Sequence, residues 1–355
     1  DRYLEGRYYF DEWDKALQAR GQVKQQRAFY REQDDYRESM GAFEWELPEE
    51  SHSDVFVGQM ACWWLKNYPK TEPLFMEIGF PGPHPPYDPT PEYAAPYLEK
   101  ELPIEEVLQS DLDGQPPAFK QLRQHNFDID HDSVVHLPNP SDEQRHCQRA
   151  YYLANVTMID KQVGQIMQTL KETGYLENSI VIFTSDHGDC LGDHGHIQKW
   201  TMYDSVIRVP LLIWGPNYVP SRQRMSSKCQ LMDVGATILD FAGIQPPAMM
   251  QAQSLKEALH NADWTGRDYV FAEHVPDGIY EGPYMTMIRS TEWKLVHFLD
   301  DESGQLFNLV NDPSENINLW DDGNYETIKQ ALLLELLNWR VSSGQKTAPV
   351  YESYR

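Results

Sequence analysis

The segment Ser185-Asp186-His187-Gly188-Asp189-Cys190-Leu191-Gly192-Asp193-His194-Gly195-His196-Ile197-Gln198-Lys199 gathers residue types that do chemistry. Asp186 supplies a hard anionic oxygen and His187 an imidazole nitrogen. Together they can hold a divalent cation if further ligands come from elsewhere in the fold. Two protein ligands are too few for a tight site, and an Asp after a strand often only caps a turn. The weight comes from the accumulation of acidic and imidazole groups, glycines and Lys199 in one loop.

The elements around this loop are readable. Leu153, Val156, Ile159, Val163, Ile166 and Leu170 step by three and four, which predicts an amphipathic helix, with Gly174 as its stop. Ile180–Thr184 is a short β-branched run suited to a buried strand, so the chemical loop begins at a strand's carboxyl end, where open α/β sheets bind ligands. Val209–Trp214 reads as another strand, and Val234–Phe241 as a helix closed by Gly243. Upstream, Val55–Leu65 reads as a helix and Leu74–Ile78 as a strand. That strand must end before Pro81-Gly82-Pro83-His84-Pro85-Pro86-Tyr87, a stiff loop, because proline cannot donate to a ladder. Residues 1–50 read as irregular or helical surface. Residues 101–142 are a polar excursion that either shapes a substrate pocket or is a surface insertion. After about residue 262, Met285–Arg289, Trp293–Phe298 and Leu306–Leu309 predict a small antiparallel sheet, followed by a helix over 325–340. The expected division is therefore 1–262 and 263–355.

Composition narrows the function. A 41% apolar fraction over 355 residues supports a sizeable core. A formal charge of −25 disfavours general nucleic-acid binding, which needs Lys and Arg on phosphates. It leaves room for a small anionic ester, whose pocket a few cations and a metal can make locally positive. No apolar run is long enough to span a membrane. Cys62, Cys147, Cys190 and Cys229 form no C-x-x-C pair, so free thiols are expected. The start Asp1-Arg2-Tyr3 shows neither Met nor leader, and the compartment stays open. Asn155-Val156-Thr157 matches a glycosylation sequon but falls inside the predicted helix, as a chance match would. A homo-oligomer is left open.

Ser185–Asp189, Leu191–Gly195, Lys199 and Val209-Pro210-Leu211-Leu212-Ile213 together resemble the C-terminal signature of type I sulfatases and their phosphonate monoester hydrolase relatives in the alkaline-phosphatase superfamily. Ile159-Asp160 with Val163-Gly164, Gly79-Phe80 with Pro83–Tyr87, Met287-Ile288-Arg289, Trp293-Lys294-Leu295, Leu306–Leu309 with Asp312-Pro313, and Asn318-Leu319 extend the likeness over most of the chain. The resemblance implies an α/β fold with an alkaline-phosphatase-like central mixed sheet flanked by helices and a smaller C-terminal antiparallel-sheet subdomain. It places Asp186 and His187 at metal-ligand positions, calcium first, with manganese, magnesium or zinc as alternatives. His at the second position is typical of choline-sulfatase-like and phosphonate-hydrolase-like members. It places His84 where a histidine contacts the transferred group or protonates the leaving oxygen, and Lys199 where a lysine contacts a sulfate oxygen. Asp193, His194 and His196 are candidates to support the metal loop or line the pocket: His194 as a buttress of the loop and His196 at the pocket, or both only stabilising the loop.

The family's nucleophile is a formylglycine made from Cys or Ser in C/S-x-P-S-R. No cysteine here stands two residues before Pro-Ser-Arg, and Val219-Pro220-Ser221-Arg222 has Tyr218 at the nucleophile position. The nucleophile and the Asp-Asp pair that completes the metal site are expected upstream of this sequence. The function expected is hydrolysis of a small sulfate ester, with a sulfated sugar among the candidates. The alternatives are a phosphonate monoester or phosphodiester hydrolase and a non-catalytic binding protein.

Overall fold

The computed structural model of the protein describes residues 10–25, 27–220, 224–261 and 263–347. Ser221 and Arg222 of the Pro-Ser-Arg triplet, residue 262 at the expected boundary and the Asp1-Arg2-Tyr3 start lie outside them. In chain order the helices are α1 (Glu12–Ala19), α2 (Arg27–Arg31), α3 (Ser53–Asn67), α4 (Pro91–Leu98), α5 (Gln109–Gly114), α6 (Pro117–Asp128), α7 (Asp142–Glu172), α8 (Asp204–Ile207), α9 (Asp233–Phe241), α10 (Lys256–His260) and α11 (Glu326–Thr347). The strands are β1 (Val181–Thr184), β2 (Leu211–Trp214), β3 (Val270–His274), β4 (Met285–Arg289), β5 (Trp293–Phe298) and β6 (Gly304–Asn308). Two compact units emerge: Asp1–Glu106 with Gln124–Ser179 and Leu191–Ile197, and Val107–Arg123 with Ile180–Cys190 and Gln198–Arg355.

The first unit is built on α7. Ser141 and Gln144 form a capping box at its start, each side chain taking the other's backbone N–H. At its end Gly174 adopts φ +72°, which costs glycine nothing. The buried face is broader than the predicted stripe. Ala150, Ala154 and Met158 are buried with Ile159 and Ile166, whereas Val156 is exposed. The small residues let α3 and α4 approach, and a Cβ at Gly58 of α3 would meet Gln162 of α7 at 2.5 Å. Asn155 is 1% exposed, so its sequon is closed in the folded chain. Leu74, Met76 and Ile78 alternate inward onto Ala61, Leu65 and Ile166, and Phe75 points out. The stretch keeps the period of a strand but has no ladder partner among the described residues.

The second unit carries the four-stranded antiparallel sheet β3-β4-β5-β6. Alternation splits its side chains between two cores. Met285, Met287, Val296, Phe298 and Phe307 pack with Phe119, Trp200, Met202 and Tyr203. Ile288, Leu295 and Leu306 pack with Trp320, Leu332 and Leu336 around α11. The segment after Lys199 is thus part of the hydrophobic seat of the sheet.

One expectation needs correction. The central mixed sheet is, among the described residues, only the antiparallel pair β1-β2. Its strands are not buried: Phe183, Leu212 and Trp214 are 39%, 58% and 40% exposed, because neither strand has a second neighbour among those residues. The polar excursion 101–142 contains the whole of α5 and α6.

Candidate functional site

β1 ends at Thr184, and the next residues turn sharply. The Ser185 hydroxyl donates to the His187 carbonyl (2.9 Å), and the His187 N–H donates to Asp186 Oδ1 (2.9 Å). This leaves the Asp186 side chain 82% exposed, with Oδ2 3.5 Å from His187 Nε2. His187 Nδ1 lies 2.8 Å from the Gly188 carbonyl, an acceptor only, so Nδ1 donates there and the ring is oriented by the backbone. A histidine oriented by a backbone carbonyl is the usual arrangement for a metal ligand. The oxygen and nitrogen donors fit a divalent cation. No third Asp, Glu, His or Cys joins them among the described residues, so they supply part of a coordination shell only.

The pair is anchored by Gly188, whose N–H donates to the Val206 carbonyl at 2.7 Å. A Cβ at residue 188 would lie 1.9 Å from the Ser205 carbonyl oxygen, a backbone atom that cannot swing aside. Gly188→Ala is therefore expected to destabilise the protein by about 1–3 kcal/mol, as overpacking does. Thermal unfolding of the variant checks this.

Lys199 follows on a tightly held backbone. The Gln198 N–H donates to Asp189 Oδ1 (2.9 Å), and Cys190 N–H donates to the Gln198 carbonyl (3.0 Å). On the other side, the buried Trp200 donates its indole N–H to Asp277 Oδ2 at 3.0 Å. Lys199 is half-buried and makes no ion pair or hydrogen bond among the described residues. Its charge is felt by His274, which burial holds below the usual histidine range and which Asp277 pulls back up.

The remaining predicted residues belong to the first unit. His84 sits on the proline loop, its side chain 16% exposed, with Nδ1 2.9 Å from the Pro85 carbonyl. The loop is fastened by the Gly82 N–H, which donates to Asp54 Oδ1 (2.8 Å), and by Tyr87, which is buried against Gly41 and Phe43. Asp193 is committed to Arg149 (2.8 Å) and Arg145 (3.8 Å). Burial raises its carboxyl above the usual range despite these guanidinium groups. His194 takes φ +56° in the turn, and His196 is fully buried. His136 Nε2 lies 2.8 Å from the Gly195 carbonyl and braces the same turn. Sequence reasoning missed Asp277 and His136, since neither lies in a chemical motif.

Two further observations bear on ligand chemistry. A groove of about 960 Å³ in the first unit is rimmed by Glu44, Glu46, Glu49 and Glu92 with Lys161. Four carboxylates against one cation make it a poor receptor for an anion. None of the four cysteines forms a disulfide among the described residues, Cys190 is buried, and burial pushes the Cys147 and Cys229 thiols upward, away from nucleophilic thiolate.

Comparison with known proteins defines the class. Residues 7–244 match the family described as Sulfatase, and residues 192–342 match N-sulphoglucosamine sulphohydrolase, C-terminal. The chain belongs to the sulfatase family. It is 29% identical over 299 residues to an arylsulfatase of Clostridium perfringens, covering 82% of this chain and 59% of that protein. It is 34% identical over 193 residues to an N-acetylglucosamine-6-O-sulfatase of Bacteroides thetaiotaomicron, covering 52% of this chain and 34% of that protein. The chain thus spans about three fifths or less of these relatives. A phosphonate monoester hydrolase of Agrobacterium radiobacter superposes with a TM-score of 0.79 at 22% identity, over 95% of this chain and 70% of that one. The fold is accordingly the alkaline-phosphatase-like fold of sulfatases. No described helix is long and apolar enough to cross a membrane.

Proposed function

We propose that the protein is a sulfuric ester hydrolase that splits a sulfate ester into an alcohol and inorganic sulfate. The observation that carries this reading is Lys199. In a chain of net charge −25, a half-buried ammonium with no carboxylate partner among the described residues is suited to an external anion. Asp186 and His187 would hold a divalent cation, calcium first and manganese, magnesium or zinc as alternatives. When bound, such an ion draws charge from ester oxygens. Lys199 offsets charge that develops on the non-bridging oxygens as the ester bond breaks. His84 gives a proton to the leaving oxygen from Nε2, its Nδ1 being engaged by the Pro85 carbonyl. The covalent step requires a nucleophile, which the family likeness assigns to a formylglycine. Asp193 is proposed as a loop buttress held by two arginines, with His194 and His196 shaping the same turn. Residues 263–355 are proposed as a C-terminal subdomain. A sulfated sugar is the favoured substrate class, supported by the N-acetylglucosamine-6-O-sulfatase relative.

A phosphonate monoester hydrolase is the second reading, favoured by the Agrobacterium radiobacter structure. Phosphonate monoesters and sulfate monoesters both carry one negative charge, so the charge of the pocket separates them poorly. Purified full-length protein, carrying the formylglycine nucleophile, is expected to turn over an aryl sulfate faster than the matched aryl phosphonate. A phosphonate preference of about a hundredfold, equivalent to roughly 2.7 kcal/mol in the transition state, would overturn the sulfatase reading. Binding without turnover of either ester would point to a binding protein.

A further inference from the structure

The acidic groove of the first unit has no part in the proposed hydrolysis. Residues 43–45 run beside 87–89, with the Phe43 N–H on the Tyr87 carbonyl (2.9 Å) and the Trp45 N–H on the Pro89 carbonyl (3.0 Å). These bonds bring residues 44–49 next to 90–93, where α4 begins, and both stretches line the groove of about 960 Å³. Lys161 of α7 also lines it, but its charge is already matched. Its Nζ donates to Glu49 Oε1 (2.7 Å) and to the Tyr93 hydroxyl (2.6 Å). Glu44 accepts from the Tyr151 hydroxyl at 3.4 Å. Glu46 and Glu92 are exposed, and neither carboxylate has an ion pair or hydrogen bond among the described residues. The start of α4 offsets little of this charge. A helix end carries about half a positive charge, whereas Glu92 alone carries a full negative one. Tyr93 and Ala94 moreover turn their N–H groups onto the Thr90 carbonyl.

Thr90 lies deeper in the same groove. It is 5% exposed, and its Oγ1 has no hydrogen-bond partner among the described residues. A threonine at a helix start ordinarily accepts a backbone N–H of the first turn, and this side chain does not. A buried hydroxyl left unpaired is costly unless something else bonds it. The carboxylates limit what that something is. No three Asp, Glu, His or Cys side chains converge on one point among the described residues, so a bare metal ion has no shell here. The negative charge is spread over several side chains, and Leu47, Pro48 and Pro91 line the groove with them. A ligand with several ammonium groups joined by methylene chains matches both features. We propose that this groove binds an aliphatic polyamine, with ammonium groups at Glu44, Glu46 and Glu92 and an N–H on Thr90 Oγ1. Its methylenes lie on Leu47 and the two prolines. The site stands apart from the hydrolase reading, because none of its residues is assigned to that reaction.

Calorimetric titration of the full-length protein with spermidine tests this, with putrescine as the shorter probe. Spermidine is expected to bind more tightly than putrescine and to weaken about tenfold between roughly 50 and 500 mM salt, as exposed charge pairs do. Glu46→Gln and Glu92→Gln should each weaken it about two- to fivefold. The whole chain is acidic, so the pair Glu281→Gln and Glu292→Gln is the control. It removes the same charge from exposed positions in the second unit and should leave the affinity unchanged. Thr90→Val keeps the side-chain shape and removes the hydroxyl. It should not lower the melting temperature, since that hydroxyl caps nothing, and it should weaken spermidine about fivefold. The exposed glutamate variants decide the matter if Thr90→Val folds poorly. Absence of spermidine binding at low salt would overturn the proposal. Equal weakening by the groove pair and the control pair would overturn it too, since the ligand would then be reading the charge of the whole surface.

Discussion

Replacing Lys294 with Met should destabilise the protein by about 3–5 kcal/mol, the cost of removing one member of a buried ion cluster. Lys294 lies on β5 and is 0% exposed. Its Nζ donates to Asp204 Oδ1 (2.5 Å) and to the Met202 carbonyl (3.1 Å), and it pairs with Glu315. Arg289 adds two bonds to Asp204, at 3.2 and 3.0 Å, and Glu315 Oε2 accepts the Asp204 N–H at 2.6 Å. A methionine would fill much of the volume but leave Glu315 buried without its cation. Equilibrium denaturation checks the size. The double change Lys294→Met with Glu315→Gln should recover part of the loss, because the stranded charge is then gone. If the double variant is as unstable as the sum of both singles, the cluster is not the cause.

The same cluster sets an acid limit. Burial alone would raise the Asp204 carboxyl, but Lys294 and Arg289 outweigh it and hold it below the usual range. Glu315 differs: burial outweighs the pull of Lys294 and leaves it above the usual range. A carboxyl depressed by folding contributes its stability above its unfolded value, about pH 4, and loses it as pH falls through the folded one. Asp204→Asn should therefore be less stable than the unsubstituted protein near pH 7 and should converge with it below about pH 4. Glu315 works in the opposite sense, so its contribution weakens as pH rises from that region.

These contacts explain what could and could not be seen in the sequence. The α7 periodicity and the alternation in β4, β5 and β6 are local, and they marked those elements. Val270–His274 escaped because a five-residue run with few β-branched members looks no more like a strand than a buried helical turn. Leu74–Ile78 has strand alternation, yet pairing depends on a partner that alternation does not specify. The Asp186-His187 pair and Lys199 were legible as chemistry through their types and spacing. Their supports were not: Lys294 and Asp204 are 90 residues apart, and only tertiary folding brings them together.

Lys199→Ala tests the proposed chemistry most directly. In the full-length protein carrying the nucleophile, sulfate-ester kcat/KM is expected to drop by about 10²–10³-fold, the usual cost of losing a preorganised donor to a transition-state oxygen. Stability should move by no more than about 0.5 kcal/mol, because the ammonium makes no ion pair or hydrogen bond among the described residues and its backbone is held by Asp189 and Asp277 through Gln198 and Trp200. The two readouts together separate the alternatives. A solvated surface lysine would leave both rate and melting temperature unchanged, and a structural lysine would lower both. Lys199→Arg should restore only part of the rate, since a planar guanidinium on the same fixed backbone places its donors differently from an ammonium. Asp277→Asn offers a graded control: it weakens the Trp200 anchor while leaving Lys199 in place, so its loss should fall between those of the unsubstituted protein and Lys199→Ala.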